Sequence, residues 1–189
     1  MVIIHFIFAL ISSVLAIACF VPYIRDIFLH KTKPHSYSWL IWAIVETTAV
    51  AAMLSAGAAW GSATLVIGAV LCTFIFLLSL SYGTKNITLF DTICLVGALS
   101  ASAIYLFLHN SFLSVVLAAL IDFVAFLPTF RKMLQEPKTE TVSTYFLSSF
   151  SSIFALGALR NFNFITSFYL ITIIATNFSC AVIILIRRR

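Results

Sequence analysis

The chain has 189 residues, of which 62% are hydrophobic, 15% aromatic and only 9% charged, with a mean hydropathy of +1.14. Soluble domains run at roughly 45–50% apolar and about 25% charged, because most of their surface faces water. This composition therefore excludes an ordinary soluble domain and makes a lipid bilayer the solvent of several helices. A net charge of +5 does not read as a nucleic-acid surface here, because the basic residues stand at the ends of apolar runs, where they report orientation.

A bilayer core takes about 20 helical residues to cross, and seven apolar runs fit: about Val2 to Ile24, Tyr37 to Ser55, Gly61 to Tyr82, Asp91 to Leu108, Phe112 to Phe130, Ser143 to Leu159 and Phe164 to Ile186. Helices are favoured over strands because the runs lack the alternation of a barrel and a lipid-buried backbone must satisfy its own hydrogen bonds. Ala16-Ile17-Ala18-Cys19 has the small residues of a cleavage site, but no Lys or Arg precedes it and Phe20-Val21-Pro22-Tyr23 continues the run, so a membrane span is expected rather than a cleaved signal. Cys19, Cys72, Cys94 and Cys180 fall inside spans without a C-x-x-C spacing, and neither a disulfide framework nor a metal or cofactor site is expected.

If the chain crosses seven times, one side collects Arg25, Lys31, Lys33, Lys85, Arg131, Lys132, Lys138, Arg187, Arg188 and Arg189, and the other receives only Arg160. By the positive-inside rule the N-terminus is then outside and the C-terminus cytoplasmic.

Laying Phe20-Val21-Pro22-Tyr23-Ile24-Arg25 on Phe126-Leu127-Pro128-Thr129-Phe130-Arg131 keeps register without a gap, so that Ser38-Trp39 falls opposite Thr144-Tyr145. The chain reads as two copies of a three-helix unit, residues 1–82 and 111–189, joined by a linker helix within 83–110, the copies sharing one orientation. Pro22 and Pro128 each remove a backbone donor near the end of a helix, and as a matched pair they suit hinges.

These features resemble the SWEET and PQ-loop superfamily of solute carriers: three helices, a linker helix and three more, with Pro22 and Pro128 near the cytoplasmic ends of the first helix of each unit. The namesake glutamine is absent, Tyr23 and Thr129 standing in its place. Lys31 to His35 with Ser38-Trp39, and Leu127 to Lys132 with Pro137 and Glu140, look most like bacterial relatives, which implies a bacterial inner (plasma) membrane. The resemblance implies a sugar as substrate and a substrate-contacting asparagine on the third helix of each unit, a place that Asn177 takes in the second unit and nothing takes around Leu71-Cys72-Thr73 in the first.

Glu46 and Asp122 are the ionisable residues at membrane depth, each about nine residues or 14 Å in from a span end, and such residues are functional candidates by default. Asp26, Asp91, Glu136 and Glu140 stand at loops or span ends and are expected to be solvated. Trp39, Trp42 and Glu46 share one face of the second span, and Tyr145, Ser148 and Ser152 the matching face of the sixth. With Asp122 and Asn177 they are expected to line a substrate pathway; the alternative is that the acids are neutral and serve as interhelical glue worth about 1 kcal/mol. Trp60, Tyr105 and Tyr169 read as interface belts or lipid-facing filler.

The expected function is a membrane transporter of a small polar solute working by alternating access, with protons as candidate co-substrate through the two acids. A non-transporting receptor or sorting protein on the same scaffold is the alternative, and a homo-oligomer stays open. An enzyme is not expected, because His5, His30, His35 and His109 all lie at span ends or loops.

Overall fold

The computed structural model describes residues 2–84, 87–108 and 110–188 and, within them, all side chains but those of residues 2, 101, 105, 106, 108, 111 and 128. Met1, Lys85, His109, Arg189 and the side chains of Tyr105 and Pro128 therefore lie outside the described residues. Among the described residues there are seven α-helices: α1 (Val2–Phe28), α2 (Ser36–Ser55), α3 (Ala63–Tyr82), α4 (Leu89–Leu108), α5 (Ser111–Gln135), α6 (Val142–Ala158) and α7 (Phe164–Arg187). Short 3-10 turns at Ala59–Ser62 and Pro137–Thr139 precede α3 and α6.

Local chemistry sets several of the starts. The His35 ring accepts the Ser38 N–H ahead of α2, and Asn110 accepts the Leu113 N–H ahead of α5. At α7, Asn163 and Thr166 form a reciprocal capping box. Each satisfies an amide that the first turn leaves without a partner.

Five of these helices, not the expected seven, are long and apolar enough to cross a membrane: Ile3–Phe28, Ser36–Ser55, Ala59–Tyr82, Phe112–Gln135 and Phe164–Arg187. The expectation of seven crossings is corrected at the fourth and sixth helices. The α6 helix has 17 residues, a rise of about 26 Å against a core of about 30 Å, because extended backbone at Thr141 and Leu159 bounds it on both sides. In α4 the described apolar stretch ends at Ile104. The sixth run, Ser143 to Leu159, matches α6 to within a residue at each end and was itself shorter than the roughly 20 residues a crossing takes.

Membrane embedding is visible in what the long helices turn outward. Exposed side chains on α1 are Ile3, Ile7, Leu10, Val14, Ile17 and Val21, spaced three and four apart, and α3 turns out Val66, Val70, Phe74, Leu77 and Leu80. Continuous apolar stripes of this length are not tolerated against water. The protein is an all-α, membrane-embedded bundle.

Inside the bundle α3 packs against both α1 and α2, and α7 against both α5 and α6. The two groups are clasped crosswise, α1 on α6 and α2 on α5, while α4 leans on α2 and α5. Small hydroxyls stitch these contacts: Ser12 donates to the Ser151 carbonyl and Ser151 to the Ser12 carbonyl, both at 2.8 Å. Ser38 donates to the Ala125 carbonyl at 3.3 Å, Ser149 to the Ile174 carbonyl at 3.1 Å, and Thr48 pairs with Ser102 at 2.8 Å.

At one end of the bundle the α1–α2 loop, the start of α4, the α5–α6 loop and the end of α7 meet. Lys132 Nζ donates to the Lys33 carbonyl at 2.6 Å and pairs with Glu140 Oε1 at 2.6 Å. Arg188 donates to the carbonyls of Pro137 and Glu140, and Arg187 to that of Leu134. Thr141 donates to Asp26 Oδ2 at 2.8 Å, and His35 Nε2 lies 3.3 Å from Asp91 Oδ2. The expectation that these acids are solvated is corrected for Asp91 and Glu140, which are buried; the loops fold over one another and supply the partners that water was expected to give.

Candidate functional site

Residues 39, 42 and 46 of α2 fall on one face by helical spacing, and the structure turns that face inward. Trp39 and Trp42 are buried and meet edge to face at 4.9 Å. Trp39 in turn packs on Tyr23 at 4.9 Å and Phe20 at 6.0 Å, and Trp42 on Phe126 at 4.7 Å. These rings wall a narrow internal cavity with about 450 Å³ of space free of atoms.

Seven of the eight residues expected on the substrate pathway line this cavity: Trp39, Trp42 and Glu46 from α2, Asp122 from α5, Tyr145 and Ser148 from α6, and Asn177 from α7. The eighth, Ser152, lines an adjoining lobe of about 320 Å³ that Glu46 and Ser148 also border. The two lobes share Cys19, Phe20, Glu46, Ser148 and Ile173, so they form one chamber. The chamber is thus bounded by α1, α2, α3, α5, α6 and α7.

Its polar groups are unevenly satisfied. Asp122 is 2% exposed, and its Oδ1 accepts the Tyr169 hydroxyl at 3.3 Å. Tyr169, expected at a lipid interface, is instead wholly buried against this acid; its ring lies on the inward face of α7, a placement its aromatic character alone could not distinguish. The Glu46 carboxylate lies against Gly68 of α3, where an added Cβ would collide with it. Asn177 donates through Nδ2 to the Ile173 carbonyl one turn back at 3.0 Å, and the Tyr145 hydroxyl donates to Glu140 Oε2 at 2.9 Å.

Among the described residues four buried polar atoms around the chamber have no hydrogen-bond partner: Glu46 Oε2, Asp122 Oδ2, Trp42 Nε1 and Thr144 Oγ1. Buried polar atoms are nearly always paired in folded proteins, so four such atoms around one space make it the candidate site. Residues that sequence reasoning left out are Cys19, Phe20, Cys72, Phe126, Thr144 and Ile173, together with Gly68 and Tyr169. The register match had set Phe20 opposite Phe126, and that pairing was the available signal for both.

Through Tyr145 the chamber is linked to the basic-loop end, since the Glu140 carboxylate that accepts its hydroxyl also pairs with Lys132. Pro22 sits within α1, which continues through it to Phe28. No family model matches the chain, and no curated protein or solved structure shows significant similarity to it.

Proposed function

We propose that this membrane-embedded chain is a carrier for a small polar solute, working by alternating access in the manner of the SWEET and PQ-loop superfamily that its sequence resembles. The observation that carries the reading is the chamber itself: a space within the bundle, bordered by helices from both ends of the chain, where one oxygen of each acid, an indole N–H and a hydroxyl stand without hydrogen-bond partners. A structural interior would have filled that space with side chains or paired those atoms.

The crosswise clasp of α1 on α6 and α2 on α5 supports the mechanism. Its hydrogen bonds come from small hydroxyls, Ser12 with Ser151 and Ser38 with the Ala125 carbonyl. Rocking one group of three helices against the other opens the chamber first at one end, then at the other. Pro22 and Pro128 are the proposed hinges, each weakening its helix at the level of the carbonyl four residues earlier. The basic-loop end faces the cytoplasm, since nearly all the positive charge gathers there. Glu46 and Asp122 provide a route for coupling to protons, as groups that exchange a proton when the chamber opens to water on either side.

Uptake into proteoliposomes tests this reading. A carrier moves solute across the bilayer, and Asp122→Asn abolishes its proton-driven accumulation while the protein stays folded. Replacing both prolines with alanine slows turnover more than it weakens binding. Retention of ligand without flux would establish the receptor instead.

A further inference from the structure

The chamber's unpartnered atoms specify the chemistry of what fills it. Glu46 Oε2 and Asp122 Oδ2 are acceptors when ionised, Trp42 Nε1 is a donor only, and Thr144 Oγ1 can be either. Among the described lining residues none is Lys, Arg or His, so nothing within the chamber neutralises the two carboxylates. The lysines and arginines that could do so are spent at the basic-loop end, Lys132 on Glu140 and Arg188 on backbone carbonyls.

A carboxylate held in a dry interior is strongly unfavourable until a cation or a set of donors meets it. The walls add to the preference. The rings of Trp39, Trp42 and Phe126 line the same space, and aromatic rings attract ammonium groups. A neutral polyol can donate its hydroxyls to the two acids but brings no charge to offset them, which is what an ammonium group adds. Asn177, the one amide among the described lining residues, spends one Nδ2 N–H on its own helix.

We infer that the chamber binds a small organic cation, an amine whose ammonium N–H groups reach Glu46 and Asp122 and whose hydroxyl or carbonyl oxygen, a few atoms away, accepts from Trp42 Nε1. The inference deepens the carrier reading by naming its solute class, and it displaces the sugar that the resemblance implies. Gly68 has its place in this arrangement: with no side chain there, the Glu46 carboxylate can rest against α3 and still border both lobes.

The test uses the full chain in lipid nanodiscs, with ethanolamine as probe against ethylene glycol, its neutral counterpart of similar size, and against glucose, all by calorimetry. Ethanolamine binds at least about tenfold more tightly than either neutral compound. Asp122→Asn and Glu46→Gln each weaken it by about tenfold or more. Trp42→Phe, which keeps a ring and removes the N–H, weakens it by roughly threefold. Glu136→Gln, in the exposed loop, leaves it unchanged.

The inference is overturned if glucose or ethylene glycol binds as tightly as ethanolamine, if no amine binds, or if well-folded acid variants keep the affinity within about twofold. Should the acid variants fail to fold, the ranking of the three probes on the unmodified chain and the Trp42→Phe result decide the matter. Amine binding without proteoliposome uptake would defeat the carrier reading and leave the amine site standing. Glucose uptake without amine binding would do the reverse.

Discussion

Two regions of the bundle hold nearly the same kinds of side chain and treat them in opposite ways. At the basic-loop end, Glu140 is engaged through both oxygens, by Lys132 and Tyr145, while Asp26 accepts from Thr141 and Asp91 from Thr88. In the chamber, Glu46 and Asp122 each keep a buried oxygen with no partner. Both regions lie among tightly packed helices, so exposure to water does not separate them. The basic partner does: Asp91 also keeps one oxygen without a hydrogen bond, but His35 and Lys132 stand against Asp91 and Glu140 at the loop end, whereas the described lining of the chamber holds no Lys, Arg or His.

If that contrast is correct, substitutions in the two regions move stability and function separately. The largest loss of stability is expected from Lys132→Met, which strands the buried Glu140; removing one partner of such a pair costs about 3–5 kcal/mol, read as a lowered thermal transition in detergent. A transition that does not move would mean that the pair is ornamental. Next comes Gly83→Ala. Its Cβ would press on the backbone carbonyls of Ser79 and Pro34 where α3 meets the α1–α2 loop, and backbone cannot yield as a side chain can, so about 1–3 kcal/mol is lost.

Tyr169→Phe stands on the border between the two behaviours. It removes the hydroxyl that Asp122 accepts and costs about 0.6–1 kcal/mol by thermal unfolding, with a measurable change in transport. The smallest effect on stability belongs to Gly68→Ala. There the obstruction is the mobile end of the Glu46 side chain, which swings aside for less than about 1 kcal/mol, yet solute binding falls because the carboxylate leaves its place. A Gly68→Ala protein as unstable as Gly83→Ala would erase the distinction between the regions.

Much of the chamber was legible in the sequence because its elements are local. The spacing of Trp39, Trp42 and Glu46, and of Tyr145, Ser148 and Ser152, is a property of one helix each, and a face carrying that many polar and aromatic groups cannot face lipid. The number of crossings was less legible. The sixth run agrees with α6 to within a residue at each end, but its 17 residues rise only about 26 Å against a core of about 30 Å, a shortfall that counting apolar runs passes over. The ends of α1 and α5 fall later than their runs: α1 runs on past Arg25 to Phe28 and α5 past Arg131 to Gln135, since a long basic side chain can reach the polar boundary from inside a helix.

The misplaced residues share one cause. Asp91 and Glu140 are buried because loops distant in sequence close over them, and Tyr169 turns inward to meet an acid on another helix. Such partners are set by three-dimensional proximity, which no period within a single segment encodes.

The crosswise clasp of α1 on α6 and α2 on α5 has a consequence for how the chain is made. Neither set of three helices can complete its inner surface until the other arrives, so each serves as the mould for its counterpart. A chain severed between α4 and α5 and produced as two pieces in one cell should therefore reunite without a covalent tether.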